Sequence, residues 1–274
     1  MRKAFVLCKK NAFCFLKNEY AIFAAVKSTP FQLVKQFIRQ VLVTLNLPLT
    51  RNLKYDILTK KVFEREMSET SNCVDVGAHK GEILDLILTL SPKGQHTAFE
   101  PIPQMFQKLQ VNYHNRVKVF PYALSNRSGI THFNVVTDSP AYSGLQRREY
   151  KTADPQIESI EVEVHQLDAV LQTRDFTIDL IKIDVEGGEL DVLKGATQIL
   201  STDHPTLIFE FGKGASEFYG TMPHHMHELL TQYGYQIWTI GDFWSNNKSL
   251  DSATLKHVYE NQSDYYFVAK YLAN

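Results

Sequence analysis

The stretch "IKIDVEGGELDVLKGA" (181–196) joins an apolar run of strand length to a glycine turn and a helix-like segment. Successive side chains of a strand point to opposite faces, so Ile181, Ile183 and Val185 share one side while Lys182, Asp184 and Glu186 share the other. Three charges in a row on a covered face are costly unless they pair with each other or meet a ligand. The stretch therefore reads either as an ion-pair ladder beneath a helix or as the charged rim of a binding site.

Outward from it, strand and helix patterns alternate from residue 71 onward, as in a parallel sheet built from βαβ units. Upstream lie strand "NCVDV" (72–76), helix "EILDLILTL" (82–90), strand "HTAFE" (96–100), helix "PQMFQKLQVNYHN" (103–115) and a third strand, "VKVFPYAL" (117–124). Downstream the opening strand feeds one helix, "GELDVLKGATQIL" (188–200). A fifth strand follows at "PTLIFEF" (205–211), a helix at "HHMHELLTQYG" (224–234), and two closing strands at "YQIWTI" (235–240) and "DYYFVAK" (264–270). Residues 130–136 and 160–165 alternate like antiparallel strands around a polar stretch with "AYSGLQRREY" (141–150), which predicts an inserted β-hairpin or flap. The expectation is a seven-stranded doubly wound α/β sheet.

The net charge of −1 conceals an asymmetry. Residues 1–65 hold 13 Lys and Arg against 3 Asp and Glu, a balance of +10, so the remainder carries −11. This predicts a basic helical N-terminal extension over 1–68 and a main domain over 69–274 in different surroundings. "STPFQLVKQFIRQVLVTL" (28–45) places Phe31, Val34, Phe37, Ile38, Val41, Leu42 and Leu45 on one arc, with Lys35, Gln36, Arg39 and Gln40 opposite. A basic amphipathic helix serves as a packed face, a homodimer contact or a peripheral membrane contact, and all three stay open. Residues 53–67 read as a second helix. Cys8, Cys14 and Cys73 form no disulfide framework, and no apolar run reaches the roughly 18 residues of a spanning helix. The expected location is the cytoplasm, with membrane association left open.

"VDVGAHKGE" (74–82) puts Asp75 near the end of the first strand and Gly77 and Gly81 in the turn after it. Ligands of open α/β sheets bind at such strand ends. Glu100 follows Gly77 by 23 positions, where an acid would grip a ribose hydroxyl. The turn lacks the middle glycine of a dinucleotide fingerprint, and Asp75 would repel phosphates but attract a cationic sulfonium. An adenosine-containing ligand without phosphates fits better than NAD.

These residues resemble the FkbM family of S-adenosylmethionine-dependent methyltransferases. The likeness is carried by "VDVGAHKG", "AFEPIPQMFQKL" with Asn112, "ALSNRSG" (123–129), "LDAVL" (167–171) and "DLIKIDVEGGELDVLKGA" before "HPTLIFE" (204–210). The resemblance implies a class I methyltransferase (Rossmann-like) fold, S-adenosyl-L-methionine as cofactor, and methyl transfer to a hydroxyl oxygen of a sugar or glycan-containing small molecule. By position, Asp75, Gly77, Ala78 and Gly81 would line the amino-acid end of the cofactor. His79 stands in the same cofactor turn, and it and Lys80 replace an asparagine and an aliphatic or small residue often found there. Glu100 would hold the ribose, Pro101 and Ile102 would border the adenine, and Ala123, Leu124 and Ser125 would close its far side.

A sugar hydroxyl needs a base as its oxygen gains a carbon. Asp184 is the first candidate, Glu186 and Glu210 are alternative bases or orienters, and Lys182 would hold the carboxylates in place. No spacing is diagnostic of a metal, so none is expected. His224 and His227 read as a solvated helix start. In the flap, Tyr142, Ser143, Gly144, Arg147, Arg148 and Tyr150 would cover or contact the acceptor. "DVEGGE" (184–189) stands where nucleic-acid methylases carry an aromatic motif, so no nucleic-acid partner is expected. The competing classes are an NAD-dependent oxidoreductase on a similar sheet and a non-catalytic membrane- or partner-binding module.

Overall fold

The computed structural model describes residues 47–150 and 154–272, together with Ile38 and Leu42. The amphipathic segment expected at 28–45 lies almost wholly outside the described residues. The chain divides into two compact units, Met1–Lys54 and Tyr55–Asn274, and the larger carries both sheets. No helix among the described residues is long and apolar enough to cross a membrane.

The main sheet has seven strands in the order β3-β2-β1-β7-β8-β10-β9. These are β1 (Cys73–Val76), β2 (His96–Phe99), β3 (Val117–Phe120), β7 (Leu180–Ile183), β8 (Thr206–Glu210), β9 (Tyr235–Thr239) and β10 (Tyr266–Tyr271). The first five pair in parallel, and β10 runs antiparallel to both β8 and β9. The chain starts at the centre with β1, winds out to β3, then returns to the other side of β1 with β7. That reversal puts a crevice between the carboxyl ends of β1 and β7.

Strand alternation sorts the core into two layers. Val74, Val76, Ile181, Ile183, Leu207, Phe209 and Phe267 face one layer, covered by α5 (Glu189–Lys194), α6 (Thr197–Thr202), α7 (Pro223–Gln232) and α9 (Ser252–Glu260). Cys73, Ala98, Leu180, Ile208 and Val268 face the other, with side chains from α1 (Arg51–Glu66), α2 (Glu82–Leu90), α3 (Pro103–Asn112) and α8 (Ile240–Trp244). By the same alternation Asp75, Lys182, Glu210 and Tyr266 belong to the α1 layer. α1 packs Tyr55, Val62 and Phe63 there, at spacings that fall on one helical face.

Three local expectations change. "VKVFPYAL" is two strands, because Pro121 has no N–H to continue the ladder; β4 (Tyr122–Leu124) leaves the main sheet and pairs in parallel with β6 (Ile157–His165). The predicted hairpin, β5 (Gly129–Val136) against β6, thereby becomes a three-stranded sheet, β4-β6-β5. The helix expected over 188–200 breaks into α5 and α6 at Gly195, where a Cβ would collide with the Ser125 carbonyl oxygen. Sequence reading also missed the short α4 (Leu167–Val170), α8 and α9. The last starts where the Asp251 carboxylate accepts from Thr254 N at 2.8 Å.

Candidate active site

The turn after β1 is fixed by its neighbours. Gly77 N and Ala78 N both donate to Phe99 O at 3.0 Å, tying the turn to the end of β2. Gly77 has φ 83°, and a Cβ there would collide with the Asp184 carbonyl oxygen at the end of β7. Glycine is required by the close approach of two strand ends as well as by the left-handed backbone. Gly81 (φ 86°) is likewise compelled by packing, since a Cβ would strike Tyr113, whose hydroxyl donates to Gly81 O at 2.9 Å. His79 is left-handed without being glycine (φ 47°), and its N–H is held by Glu100 Oε2 at 2.8 Å.

Glu100 follows β2 and is 3 % exposed. Its Oε1 accepts from Ile102 N at 2.8 Å, so each carboxylate oxygen is aimed by one backbone N–H and keeps a lone pair. Burial pushes its pKa up to about 7 against the lowering effect of these two bonds. Asp75, 1 % exposed, is also pushed to about 7 by burial, with Lys182 pulling the other way. Its Oδ2 has no hydrogen-bond partner among the described residues.

A cleft of about 670 Å³, including its open mouth, runs from this turn across the strand ends. Gly77, His79, Glu100, Pro101, Ile102, Ala123, Leu124, Ser125, Asp184 and Glu186 all line it. Asp75, Ala78 and Gly81 do not reach its wall: Asp75 lies within β1 in the α1 layer, Ala78 is buried, and Gly81 backs onto Tyr113. Tyr122, Phe133, Leu145, Asp191 and Tyr219 line it too, and sequence reading did not name them. No local signal marks them. Tyr122 enters the site only because Pro121 diverts β4, and Tyr219 only through a contact with the flap.

Across the β1–β7 seam from the turn after β1, Asp184 follows β7, with its side chain 31 % exposed. Its Oδ2 accepts from Lys182 Nζ at 3.0 Å and from Tyr266 OH at 3.3 Å. Among the described residues no bond is made to Oδ1. Lys182 is 3 % exposed by side chain, and its ammonium lies 5.2 Å from the Tyr266 ring centroid. Glu210 pairs in register with Tyr266. Burial, then the Asp184 charge, pushes its pKa up to about 8.

Glu186 departs from the expected strand alternation. β7 ends at Ile183, and Glu186 sits in the turn with φ 57°, paired with Arg148. The opening stretch thus contains both of its readings, a buried ladder at Lys182 and Asp184 and a rim at the cleft. Gly187 (φ 108°) is demanded by the Ala215 carbonyl, which a Cβ would strike. The flap crosses the cleft on several ties. Arg148 meets Glu186 and lies 5.2 Å from the Tyr142 ring centroid, Gln146 N donates to Tyr219 OH at 3.1 Å, and Glu149 N donates to Gly214 O at 3.0 Å. Ser143 lines the cleft and its Oγ accepts from Val136 N at 2.9 Å, while Gly144 pairs with Asn134. Arg147 is exposed, and the Tyr150 hydroxyl is buried without a partner among the described residues. The His224 and His225 rings on α7 lie 4.0 Å apart at a 55° tilt, and no described cluster of His, Cys, Asp or Glu is arranged to hold a metal ion.

The buried acids make stability depend on pH. Asp75, Glu100 and Glu189 have native pKa values near 7 and Glu210 near 8, all above the unfolded values of 3.8 to 4.5. The native state therefore holds more protons than the unfolded one, and stability is lost as pH rises through the native values. His79 and His96, whose pKa values are lowered by burial, act only below pH 6.5. Without cofactor, the melting temperature should fall by roughly 5 °C between pH 6.5 and pH 8, the effect of ~2 kcal/mol in a domain of this size. Calorimetry at the two pH values measures it, and a rise would contradict the burial of these acids.

Residues 75–237 match the family model described as the methyltransferase FkbM domain. No curated protein matches the sequence. Among solved structures, the chain is similar to a methyltransferase FkbM from Methylobacillus flagellatus KT. Identity is 20 % and TM-score 0.46, over 74 % of this chain and 44 % of that one. It is also similar to the precorrin-6y C5,15-methyltransferase of Geobacter metallireducens GS-15 (10 %, TM-score 0.43, 80 % and 88 % covered). A third is the Aeropyrum pernix fibrillarin with natively bound S-adenosyl-L-methionine (10 %, TM-score 0.41, 78 % and 73 % covered).

Proposed function

The chain belongs to the FkbM methyltransferase family, S-adenosylmethionine-dependent enzymes, and we propose that it methylates a hydroxyl oxygen of a sugar or glycan-containing small molecule. The carrying observation is the asymmetry of Asp184. Lys182 and Tyr266 both bind Oδ2, which leaves Oδ1 as the proton acceptor at the cleft end. A neutral hydroxyl needs such a group, because it is a weak nucleophile until its proton leaves.

The residues suit the cofactor. Phe99, Ile102, Ala123, Leu124 and Phe133 give the cleft an apolar wall suited to a flat base, and Glu100 offers two aimed oxygens for ribose hydroxyls. Asp184, on the cleft wall, supplies negative charge toward a cationic centre. S-adenosylmethionine provides a methyl group on a positively charged sulfur. The protein's contribution is alignment: Glu100 and the apolar wall fix one reactant, the flap covers the other, and Asp184 Oδ1 takes the hydroxyl proton as the oxygen gains its carbon. The ties of Arg148 to Glu186 and of Gln146 to Tyr219 hold the flap against the cleft.

For the acceptor, the support is the Tyr219 ring and the Glu186 carboxylate on the cleft wall, with Arg148 paired to Glu186, groups that stack on and hydrogen-bond to sugars. The acceptor is not nucleic acid in this reading, since residues 66–274 carry −11 and repel a polyphosphate. Peripheral membrane contact or dimerisation would fall to the basic residues 1–65. Incubation of the protein with S-adenosylmethionine labelled in its methyl group and with saccharide, RNA and protein fractions tests the reading. The expected product is a saccharide whose label survives mild alkali, as an ether does. Label in RNA, on nitrogen, or released by alkali as from an ester would overturn it.

A further inference from the structure

The role of α1 and β10 at the site follows from the side of the sheet they occupy. Tyr55, 4 % exposed on α1, stacks on Tyr266 with centroids 5.0 Å apart and planes 22° apart, and meets Tyr265 edge-on at 4.5 Å. Tyr266 in turn receives the Lys182 ammonium over its ring and donates its hydroxyl to Asp184 Oδ2. Burial first, then the charges of Asp184 and Glu210, raises the Tyr266 pKa well above its usual value, so the hydroxyl stays a donor.

We infer that Tyr266, braced by Tyr55, is a positioning residue that fixes the Asp184 carboxylate through Oδ2 and turns Oδ1 to the acceptor. The inference rests on Asp184 as the base. It assigns α1 a task in the reaction site: its aromatic ring closes the α1 layer behind the carboxylate and stops Tyr266 from rotating off it. A phenol suits this better than a second cation. It donates one directed bond without neutralising the carboxylate, while its ring face accepts Lys182, so both donors converge on one oxygen.

The ¹³Cγ resonance of Asp184 at neutral pH, in protein bound to S-adenosylhomocysteine, reads the bond to Oδ2 without an acceptor, because the shielding of a carboxylate carbon follows the donors to its oxygens. Tyr266→Phe, which keeps the ring and removes the hydroxyl, should shift the resonance. Tyr55→Ala should shift it the same way by about half as much, and Tyr55→Phe, which keeps the stack, should leave it in place. S-adenosylhomocysteine affinity should change less than about threefold in each, which excludes general loss of the fold. An unmoved resonance in Tyr266→Phe overturns the proposal, and an equal shift in Tyr55→Phe and Tyr55→Ala overturns the bracing step. Native-rate methyl transfer by Asp184→Asn would instead overturn the base assignment and leave the resonance result standing, so the two failures are distinguishable.

Discussion

Asp184→Asn should bind S-adenosylhomocysteine within about threefold of the native protein and transfer methyl groups some 10²- to 10⁴-fold more slowly, the usual contribution of a positioned base. The asparagine has the same shape. Its single carbonyl oxygen will turn to the Lys182 ammonium, which can only donate, at 3.0 Å. Its NH₂ group then faces the cleft, presenting a donor where the acceptor's hydroxyl requires a proton acceptor. Binding should be spared because Glu100 and the apolar wall, which hold the ligand in this reading, are unchanged. Isothermal titration and single-turnover transfer of labelled methyl measure the two effects. Transfer at the native rate would remove Asp184 from the chemistry.

The second large effect is expected from Gly77→Ala. A left-handed backbone costs a non-glycine residue ~1–2 kcal/mol, and here the new Cβ meets a backbone carbonyl, which cannot rotate away. The ends of β1 and β7 must separate, although Asp184 N donates to Val76 O at 3.0 Å across that seam. A total beyond ~3 kcal/mol would lower the melting temperature by about 10 °C and, because Asp184 and the cofactor turn move with the seam, weaken S-adenosylhomocysteine binding at least tenfold. Gly220→Ala is the matched control. Gly220 has φ 68° with nothing within 4 Å of its would-be Cβ, so its loss should reflect the backbone term alone, ~1 kcal/mol. Equal losses in the two variants would mean that the strand ends tolerate separation.

Much of the fold was legible because its causes are local. The alternation of Val74, Val76, Ile181 and Ile183 marks strands buried on both faces, and the glycines at 77 and 81 mark the turn that opens α2. The acid at the end of β2 and the charged run of β7 likewise named Glu100, Lys182 and Asp184 from spacing. Errors arose where a neighbour far along the chain decided the matter. Gly195 breaks a helix because Ser125 presses on it, and Glu186 leaves the strand to meet Arg148.

The sequence by itself determined the sheet, the rim and the chemical character of the ligand site, since period-two burial and turn geometry involve residues a few positions apart. Only the tertiary structure decided which groups hold the Asp184 carboxylate. That hold depends on Tyr266, which is 82 positions from Asp184 and beside it only through the β8–β10 pairing, and on Tyr55, which reaches Tyr266 from a helix outside the sheet. A carboxylate's bonds and the field around it are set by what folding brings within a few ångströms, and no local pattern encodes that set.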